Sequence, residues 1–481
     1  MKVVIMAGGK GTRIASITKE VAAQYPELYN GAPDIPKPLL PINGVPVLER
    51  EICSLRDQGF DKIIITVGYL SSIIMDYFGD GTRISRATGK PFRVSISYFN
   101  EIMPLGNAGA LYKLYDDLKD GVDEDFLLLT ADSMFDVNFK RFVAYHMKQG
   151  GLATLFTHPN SHPLDSSVVV ADMDCRVTGW LAKEDERPVY YKNRVNAGLH
   201  ILNRKVLDIA EKNGTIVPEL IGTRDSQGCI VKVDLDRQLL KPLCGDKIDR
   251  AIFCYDSPEY VKDMGTPERF QQVLYDYKTG MIKRKNLQHK QKAFFLDRDG
   301  TINKYKGFIR SVDQIELIDG VGKAIKEIND SGYLCIIITN QPVVARGEVS
   351  DKLLGEMHDK LETELGRSGA YIDALYYCPH HPDKGFEGEI SSLKIDCNCR
   401  KPKIGLVIKA AEAYNIDLMS SWFIGDSRND IQCGKNAGTK TVLLTGNDTD
   451  TSQHEGNKRN NLFGQDLTCN SLIEAVEQIL R

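Results

Sequence analysis

The sequence lacks any run of about 18 apolar residues, the length a helix needs to cross a bilayer, so it predicts no membrane-spanning segment. It also lacks a basic excess: 61 lysines and arginines against 65 aspartates and glutamates leave a net charge of −4. This balance gives no support for nucleic acid as a partner. Internal repeats and low-complexity segments are absent. The apolar start MKVVIM is too short for a signal peptide and runs into Gly, Lys and Arg, so it predicts a first buried strand.

Cysteine is present, but in a pattern that argues against a disulfide framework. Eleven cysteines are an odd number, and three of them crowd with histidines between positions 378 and 399. This usage predicts a reducing cytoplasm and a metal site. The spacing C-x-H followed by C-x-C supplies three thiolates and one imidazole, a closed tetrahedral set suited to structural Zn²⁺. The alternatives are that His381 is the ligand, or that the cysteines are unrelated. The predicted zinc ligands are Cys378, His380, Cys397 and Cys399.

A chain of 481 residues is long enough for two or three domains, and its apolar strand-like runs alternate with helix-like segments. This alternation predicts an α/β fold with doubly wound sheets. The strand Lys2–Ala7 leads into a glycine-rich turn, whose glycines let backbone N–H groups approach phosphate oxygens. A structural turn is the alternative. The candidate phosphate-binding residues of this turn are Gly8, Gly9, Gly11, Thr12 and Arg13.

Two other charged residues of the first half are suited to phosphate chemistry. Lys37 stands between Pro36 and Pro38, which stiffen the backbone around one cation. The run FLLLT predicts a strand that delivers Asp132 to its carboxyl end. A strand-end cap is the alternative role for Asp132.

The second half contains a stronger signal, FFLDRDGTIN. The strand Ala293–Leu296 is followed by Asp297 and Asp299 and then by a Gly turn, which places two carboxylates at the carboxyl edge of a parallel sheet. Carboxylates this close repel each other unless a cation or a proton shares the site. A strand followed by a polar turn is the alternative. Later strands and turns are expected to add Thr339, Asn340, Lys401 and Asp426.

Six motifs of the first half resemble, in order, those of sugar-1-phosphate nucleotidylyltransferases, especially the mannose-1-phosphate and heptose-1-phosphate guanylyltransferases. They are GGKGTR, DIPKPLLPI, PLGNAGA, LLLTADS, NAG at 196–198 and DMGTPE at 263–268. The resemblance implies that a sugar phosphate attacks the α-phosphorus of an NTP. It also implies that the glycine turn, Arg13 and Lys37 bind the phosphates of the nucleotide. It implies Mg²⁺ on Asp132 and Asp263. The implied substrate-binding residues are Gly106, Lys183, Asn196 and Gly198.

The first half departs from this family in two places. The stretch between positions 14 and 33 is longer than usual, and we expect it to form a lid or merely surface. In WLAKE, Ala182 stands where the family has glutamate, which puts one sugar contact in doubt. Guanine as the base follows from the resemblance alone.

The second half resembles the haloacid dehalogenase superfamily, and CPHH…CNCRKP narrows the resemblance to the heptose-1,7-bisphosphate 7-phosphatase group. A related zinc-loop class acts on histidinol phosphate. The resemblance implies that Asp297 attacks phosphorus and that Asp299 acts as acid and base. It implies Mg²⁺ on Asp297, the backbone of Asp299 and Asp426, with Asp430 as an outer support or a merely solvated residue. The implied phosphate and substrate contacts are Thr339, Asn340, Arg400 and Lys401. Pro342 and Val343 replace the Ser-Gly usual after TNQ in that group.

Together these resemblances predict a bifunctional enzyme. The expected domains are a nucleotidylyltransferase domain at 1–275, a basic linker at 276–291 and a phosphatase domain at 292–481. The phosphatase would remove the 7-phosphate of heptose 1,7-bisphosphate, preferentially the α anomer, and the transferase would use GTP to form GDP-heptose. The alternative is a mannose or glucose 1-phosphate transferase joined to a phosphatase of another sugar phosphate or of histidinol phosphate. The expected partners are small molecules only, and a homo-oligomer is compatible with the sequence.

Overall fold

The computed structural model describes residues 1–245, 251–446 and 463–481. The chain forms two compact units that do not follow a single cut along the sequence. The first unit comprises Met1–Thr157, Val169–Trp180 and Asn196–Asn286, and the second comprises His158–Val168, Leu181–Val195 and Leu287–Arg481. No helix among the described residues combines the length and apolarity needed to cross a membrane.

The first 286 residues alternate strands and helices. The strands are β1 Lys2–Ala7, β2 Pro41–Ile42, β3 Val45–Pro46, β4 Lys62–Val67, β5 Ser95–Asn100, β6 Asp125–Thr130, β7 Ser133–Asp136, β8 Ala153–His158, β9 Val168–Ala171, β10 Val177–Leu181, β11 Val195–Asn203, β12 Ile252–Asp256 and β13 Tyr260–Asp263. The helices are α1 Ala15–Gln24, α2 Val47–Asp57, α3 Ser71–Phe78, α4 Gly109–Lys113, α5 Phe139–Gln149, α6 Lys205–Lys212, α7 Pro267–Lys278 and α8 Met281–Arg284.

A nine-stranded sheet organises this half of the chain. Its centre is parallel in the order β6-β1-β4-β5, and β11 joins β6 in the antiparallel sense. The central strands are continuous apolar runs, as expected for parallel strands covered on both faces. The carboxyl ends of β1 and β6 therefore lie side by side, next to the glycine turn and Asp132. The short pair β7 and β13 is antiparallel and sets Asp263 opposite Ser133.

The second unit is built on six parallel strands in the order β16-β15-β14-β17-β18-β19. The strands are β14 Ala293–Leu296, β15 Leu334–Asn340, β16 Ala374–Cys378, β17 Trp422–Gly425, β18 Lys440–Leu444 and β19 Leu467–Cys469. The helices are α9 Val321–Ser331, α10 Asp351–Arg367, α11 Gly405–Tyr414, α12 Arg428–Ala437 and α13 Leu472–Leu480.

Strand β14 shows that helices cover both faces of this sheet. Phe294 and Leu296 belong to one hydrophobic core, and Ala293 and Phe295 belong to another. All four side chains are fully buried, which explains why the strand is apolar throughout instead of alternating. The α/β, doubly wound architecture predicted from the sequence is confirmed.

Two stretches are more ordered than the sequence suggested. The long stretch after Arg13 contains α1, and its residues Leu28 and Tyr29 are buried in the main core, where the Tyr29 hydroxyl donates to the backbone oxygen of Leu39 at 2.8 Å. This stretch is therefore not merely surface. The segment predicted to be a basic linker, 276–291, includes the end of α7 and all of α8, and its residues Ile282 and Leu287 are buried.

The second unit includes two segments from the first half of the chain, which pack on α10. The Thr363 hydroxyl accepts from the Tyr191 backbone N–H at 2.9 Å and donates to the Tyr191 carbonyl at 3.0 Å. The Glu362 carboxylate accepts from the Asn193 N–H at 2.9 Å. All four residues are buried. The domain boundaries drawn from the sequence stay a prediction, but a phosphatase unit cut before position 287 would lack these segments.

Replacing Thr363 by Val should loosen the 189–195 segment, because the isosteric side chain leaves two buried backbone groups of Tyr191 unpaired. Such a loss costs about 1–3 kcal/mol. Hydrogen exchange of the segment should accelerate by roughly 5- to 150-fold if local opening controls exchange. Thr363→Ser keeps the hydroxyl and should exchange like the wild type. Unchanged protection in Thr363→Val would contradict this account of the packing.

Candidate active sites

The carboxyl edge of the six-stranded sheet carries the polar residues predicted from the sequence. Because β15, β14 and β17 are neighbours, their ends deliver Thr339, Asp297 and Asp426 to one place. They line a cavity of about 230 Å³. The other lining residues are Asp299, Tyr305, Gly307, Phe308, Ile309, Asn340, Gln341, Pro342, Val343, Arg400, Lys401, Ser427, Asn429 and Asp430.

Lys401 places a positive charge between two carboxylates of this site. Its Nζ lies 2.6 Å from a carboxylate oxygen of Asp297 and 2.6 Å from one of Asp430. The Asn340 side chain fixes the Lys401 backbone, accepting from its N–H at 3.0 Å and donating to its carbonyl at 3.2 Å. Burial disfavours the ammonium, but the two carboxylates outweigh this effect and raise the pKa of Lys401. The lysine is therefore charged and held in place.

Asp430 is not a solvated helix residue, which was one of the two roles left open for it. It is fully buried, and its second carboxylate oxygen accepts from the Ser427 N–H at 3.0 Å and from the Ser427 hydroxyl at 2.6 Å. These bonds also cap α12. Asp430 thus ties Lys401 to the start of α12 and contributes a third carboxylate to the cluster.

Three carboxylates share this site with one lysine. Ligand oxygens of Asp297, Asp426 and Asp430 all lie within 4.8 Å of one another. Burial, followed by repulsion from Asp430, raises the pKa of Asp297 to about 7 and that of Asp426 to about 8. Such an excess of negative charge is stabilised by protons or by a cation, and carboxylate oxygens are the ligands that Mg²⁺ prefers. The residues present therefore fit a divalent cation.

Asp299 is oriented by residues that the sequence did not single out. The fully buried Arg298 guanidinium holds it in a forked contact, with its terminal nitrogen 2.9 and 2.8 Å from the two carboxylate oxygens. The Gln341 amide donates to Asp299 at 2.9 Å and to the Thr339 hydroxyl at 2.9 Å. Asn303 donates to Asp299 at 2.9 Å. Arg298 lies inside the DRDG motif, and Gln341 lies two residues after Thr339. Their positions next to predicted site residues are therefore a sequence signal that could have identified both.

Gly300 allows the turn after β14 to approach the turn after β17. It has φ +83°, and a Cβ at this position would lie 2.0 Å from a carboxylate oxygen of Asp426. A larger residue would therefore displace Asp426 or the turn. This contact explains why the motif ends in glycine.

The four predicted zinc ligands form one cluster beside the sheet. The Sγ atoms of Cys378, Cys397 and Cys399 are 3.1–3.5 Å apart, and Nδ1 of His380 lies 3.2 Å from Cys399 Sγ. Disulfide sulfurs are about 2.05 Å apart. Ligand atoms of tetrahedral zinc, bound at about 2.3 Å, are separated by about 3.8 Å. The thiols are thus too far apart for a disulfide and close to a tetrahedral arrangement, so the cluster fits Zn²⁺.

His381 points elsewhere. Its Nδ1 accepts from the Asp383 N–H at 3.2 Å, and its ring meets Phe386 edge-on. Of the two histidines considered as ligands, His380 is therefore the one that the geometry favours. Arg400 follows the cluster, donates to the His380 carbonyl at 3.3 Å and lines the cavity.

The first unit contains a similar arrangement. Lys37 is buried, and its Nζ lies 2.9 Å from Asp132 and 3.1 Å from Asp263. The Met264 N–H donates to the Asp132 carbonyl at 3.1 Å, which keeps the two aspartates together. Burial raises the pKa of Asp263, but Lys37 and then Arg269 outweigh it and hold this pKa below its ordinary value. The two carboxylates are partly exposed and offer oxygens that fit Mg²⁺.

The glycine turn is open to solvent at the residues expected to touch phosphate. Gly9, Thr12 and Arg13 are exposed, and Thr12–Ile14 forms a short 3₁₀ turn that begins at Gly11. A Cβ at Gly8 would lie 3.1 Å from a carboxylate oxygen of Glu101, a residue to which the sequence assigned no role. A Cβ at Gly265 would lie 3.1 Å from the Arg13 guanidinium and 2.9 Å from Asp263, so Arg13 borders the carboxylates.

The residues predicted to bind the substrate of the first half, Gly106, Lys183, Asn196 and Gly198, lie in different surroundings. Gly106, at φ +84°, is pressed against the Val233 backbone, where a Cβ would lie 2.3 Å from the carbonyl oxygen. The Asn196 side chain accepts from the Gly198 N–H at 3.2 Å. Lys183 is exposed, lies 3.7 Å from Asp165 and belongs to a segment of the second unit. Its role in nucleotidyl transfer stays a prediction.

Comparison with known proteins assigns the two halves of the chain to different families. The nucleotidyl transferase family model matches residues 2–277, and a HAD-hydrolase-like model matches residues 398–475. The D-glycero-β-D-manno-heptose-1,7-bisphosphate 7-phosphatase of Haemophilus ducreyi is 37% identical over 190 residues, which cover 39% of this chain and 98% of that protein. The corresponding protein of Salmonella typhi is 38% identical over 156 residues, 32% of this chain and 81% of that protein.

Among solved structures, a D,D-heptose 1,7-bisphosphate phosphatase from B. bronchiseptica is similar at 30% identity, covering 40% of this chain and 98% of its own, with a TM-score of 0.34. HddC from Yersinia pseudotuberculosis is similar at 21% identity, covering 57% and 99%, with a TM-score of 0.39. The family model over residues 2–277 shows that the chain belongs to the nucleotidyl transferase family, and the curated relatives show that its second half belongs to the family of heptose-bisphosphate phosphatases. It is an enzyme with both transferase and phosphatase domains.

Proposed function

We propose that the second unit removes the 7-phosphate of D-glycero-D-manno-heptose 1,7-bisphosphate and that the first transfers GMP from GTP to the resulting heptose 1-phosphate. The products would be phosphate, pyrophosphate and GDP-heptose. The phosphatase assignment rests on the buried Lys401, which lies between two carboxylates and lines the cavity at the sheet edge. The names of the relatives support the sugar, and the order of steps follows because the product of one reaction is the substrate of the other.

In the phosphatase, Asp297 is the nucleophile. Its carboxylate oxygen bonds to phosphorus while the bond from phosphorus to the C7 oxygen breaks, which gives an aspartyl-phosphate. Asp299 protonates the leaving oxygen and then removes a proton from the water that hydrolyses the intermediate. Arg298 and Gln341 fix the direction of Asp299, and Lys401 and Thr339 face the phosphoryl oxygens. Bound Mg²⁺ would supply further positive charge beside Asp297, Asp426 and the phosphate.

In the transferase, the chain mainly positions charged groups. The sugar 1-phosphate attacks the α-phosphorus of GTP, and pyrophosphate leaves. The open backbone of the Gly8–Gly11 turn and the Arg13 side chain would bind the triphosphate. Lys37 would neutralise charge between the aspartates and the phosphates. Bound Mg²⁺ on Asp132 and Asp263 would stabilise the charge of the leaving pyrophosphate.

The anomer of the bisphosphate is a separate part of the substrate assignment. The curated relatives are named for the β anomer, whereas nucleotidylyltransferases of the kind resembled by the first half use α-anomers. Pro342 and Val343, which depart from the family pattern, line the cavity next to the phosphate-binding residues. We therefore propose the α-1,7-bisphosphate as the preferred substrate.

Incubation of the purified protein with each anomer of heptose 1,7-bisphosphate and a panel of NTPs tests this assignment. We expect phosphate release to be faster with the α anomer, and nucleotide-sugar to form with GTP. Release of phosphate and formation of nucleotide-sugar are followed separately. No phosphate from either anomer would overturn the heptose assignment, and a faster reaction with the β anomer would overturn the anomer assignment alone.

Variants of the two sites should separate the activities. Asp297→Asn should lower phosphate release by about three orders of magnitude, since it removes the nucleophile, and leave conversion of added heptose 1-phosphate intact. Asp132→Ala should lower nucleotidyl transfer about 100-fold or more and spare phosphate release. Asp330→Asn, on the exposed face of α9, is the matched control and should change neither. Loss of both activities in either site variant would count against independent sites.

Substitution of the cluster cysteines should lower the zinc content of the protein. We propose one structural Zn²⁺ on Cys378, His380, Cys397 and Cys399, with no coordination position left for substrate. The double variant Cys397→Ser/Cys399→Ser should lose about one Zn²⁺ per chain, measured by atomic emission on the purified protein. Cys229→Ser changes an exposed cysteine outside the cluster and should retain the metal. Equal zinc contents in the two proteins would refute the assignment.

A further inference from the structure

A second pair of cysteines meets in the first unit, outside both sites. Cys175 lies in the turn between β9 and β10, and Cys254 lies in the middle of β12. Arg176 and Phe253 form an antiparallel bridge. Cys175 precedes Arg176 and Cys254 follows Phe253, so the two cysteines are directly opposite each other. The Cys254 N–H donates to the Cys175 carbonyl at 2.9 Å, which fixes this register.

This register suits a disulfide. Opposed residues of antiparallel strands have Cα atoms about 4.5–5.5 Å apart. Disulfides span Cα distances of about 4.4–6.8 Å. The two sulfurs and a carboxylate oxygen of Asp256 all lie within 4.8 Å of one another. Rotation of the side chains can therefore bring the sulfurs into bonding distance without moving the backbone.

The surroundings distinguish the two thiols. Cys254 is fully buried, whereas Cys175 is partly exposed, so only Cys175 can meet an oxidant from solvent. The Tyr145 hydroxyl donates to the Cys254 carbonyl at 2.9 Å and helps hold β12 beside the turn. Asp256 is the third member of this cluster, and its carboxylate already accepts from the Thr157 hydroxyl at 2.7 Å. Two thiols in register and one engaged carboxylate favour a disulfide over a metal.

We propose that Cys175 and Cys254 form a thiol–disulfide site that reacts with low-molecular-weight disulfides such as oxidised glutathione. The Cys175 thiolate attacks one sulfur of the glutathione disulfide, forms a mixed disulfide and releases one glutathione thiolate. The Cys254 thiolate then attacks the Cys175 sulfur and releases the second glutathione. Two protein thiols are oxidised by two electrons, one glutathione disulfide is reduced, and the two protons lost by the protein thiols are taken up by the two glutathione thiolates to give two thiols. The new bond ties the β9–β10 turn to β12.

Oxidation of the full-length, zinc-loaded protein with oxidised glutathione tests the site. Digestion under non-reducing conditions should give a peptide in which Cys175 is linked to Cys254. Cys254→Ser should stop at the mixed disulfide and carry glutathione on Cys175. Cys175→Ser should leave Cys254 reduced. The denaturation midpoint of the wild type should rise on oxidation, because the cross-link closes a long loop, and that of Cys254→Ser should not.

The exposed Cys229 provides the internal control for reactivity. After the glutathione treatment, the wild-type protein is unfolded and its remaining free thiols are alkylated. If Cys229 carries glutathione while Cys254 is fully alkylated, Cys254 has not been oxidised, and the proposal is overturned. Glutathione that stays on Cys175 in the wild type would overturn it as well, since Cys254 would then fail to resolve the mixed disulfide. A metal ion that is lost only on Cys175→Ser or Cys254→Ser would assign the pair to metal binding and would equally overturn it.

Discussion

A buried lysine between two carboxylates at the carboxyl edge of a parallel sheet is the interaction on which each site depends. Lys401 joins Asp297 to Asp430 in the second unit, and Lys37 joins Asp132 to Asp263 in the first. Removing one partner of the buried pair of Lys401 and Asp430 costs about 3–5 kcal/mol, because an uncompensated charge remains. The ammonium therefore holds together two carboxylates that would otherwise repel each other.

The two units differ in how they assemble this arrangement. In the second, three neighbouring parallel strands deliver the groups, and Asp430 is brought in by the first turn of α12. In the first, Lys37 comes from a 3₁₀ turn, and the antiparallel pair of β7 and β13 brings Asp263 to Asp132. The same charge pattern thus arises from different topologies. Its excess of negative charge is greater in the phosphatase, where burial and mutual repulsion raise the pKa values of Asp297 and Asp426.

The sequence was most informative where a function depends on a short motif at a strand end. Asp297, Asp426 and the four members of the Cys/His cluster were predicted to meet, and the structure brings each set together. Asp430 was left with two possible roles and Gln341 was assigned none. Their contacts depend on burial and on partners distant in sequence, Lys401 for Asp430 and Asp299 for Gln341. The segment that carries Tyr191 and Asn193 was assigned to the first domain by continuity, yet its backbone bonds to α10. Such long-range pairing leaves no local pattern in the sequence.

The lysines allow the most direct test. Lys401→Met and Lys37→Met retain the unbranched side chain up to the position of Cε but remove the ammonium and its charge. Both variants can be assayed for phosphate release and for nucleotidyl transfer. If the paired carboxylates depend on the ammonium, Lys401→Met should lose phosphate release by about 100-fold or more and keep nucleotidyl transfer, and Lys37→Met should show the reverse. Retention of the activity of its own site by either variant would contradict the central claim.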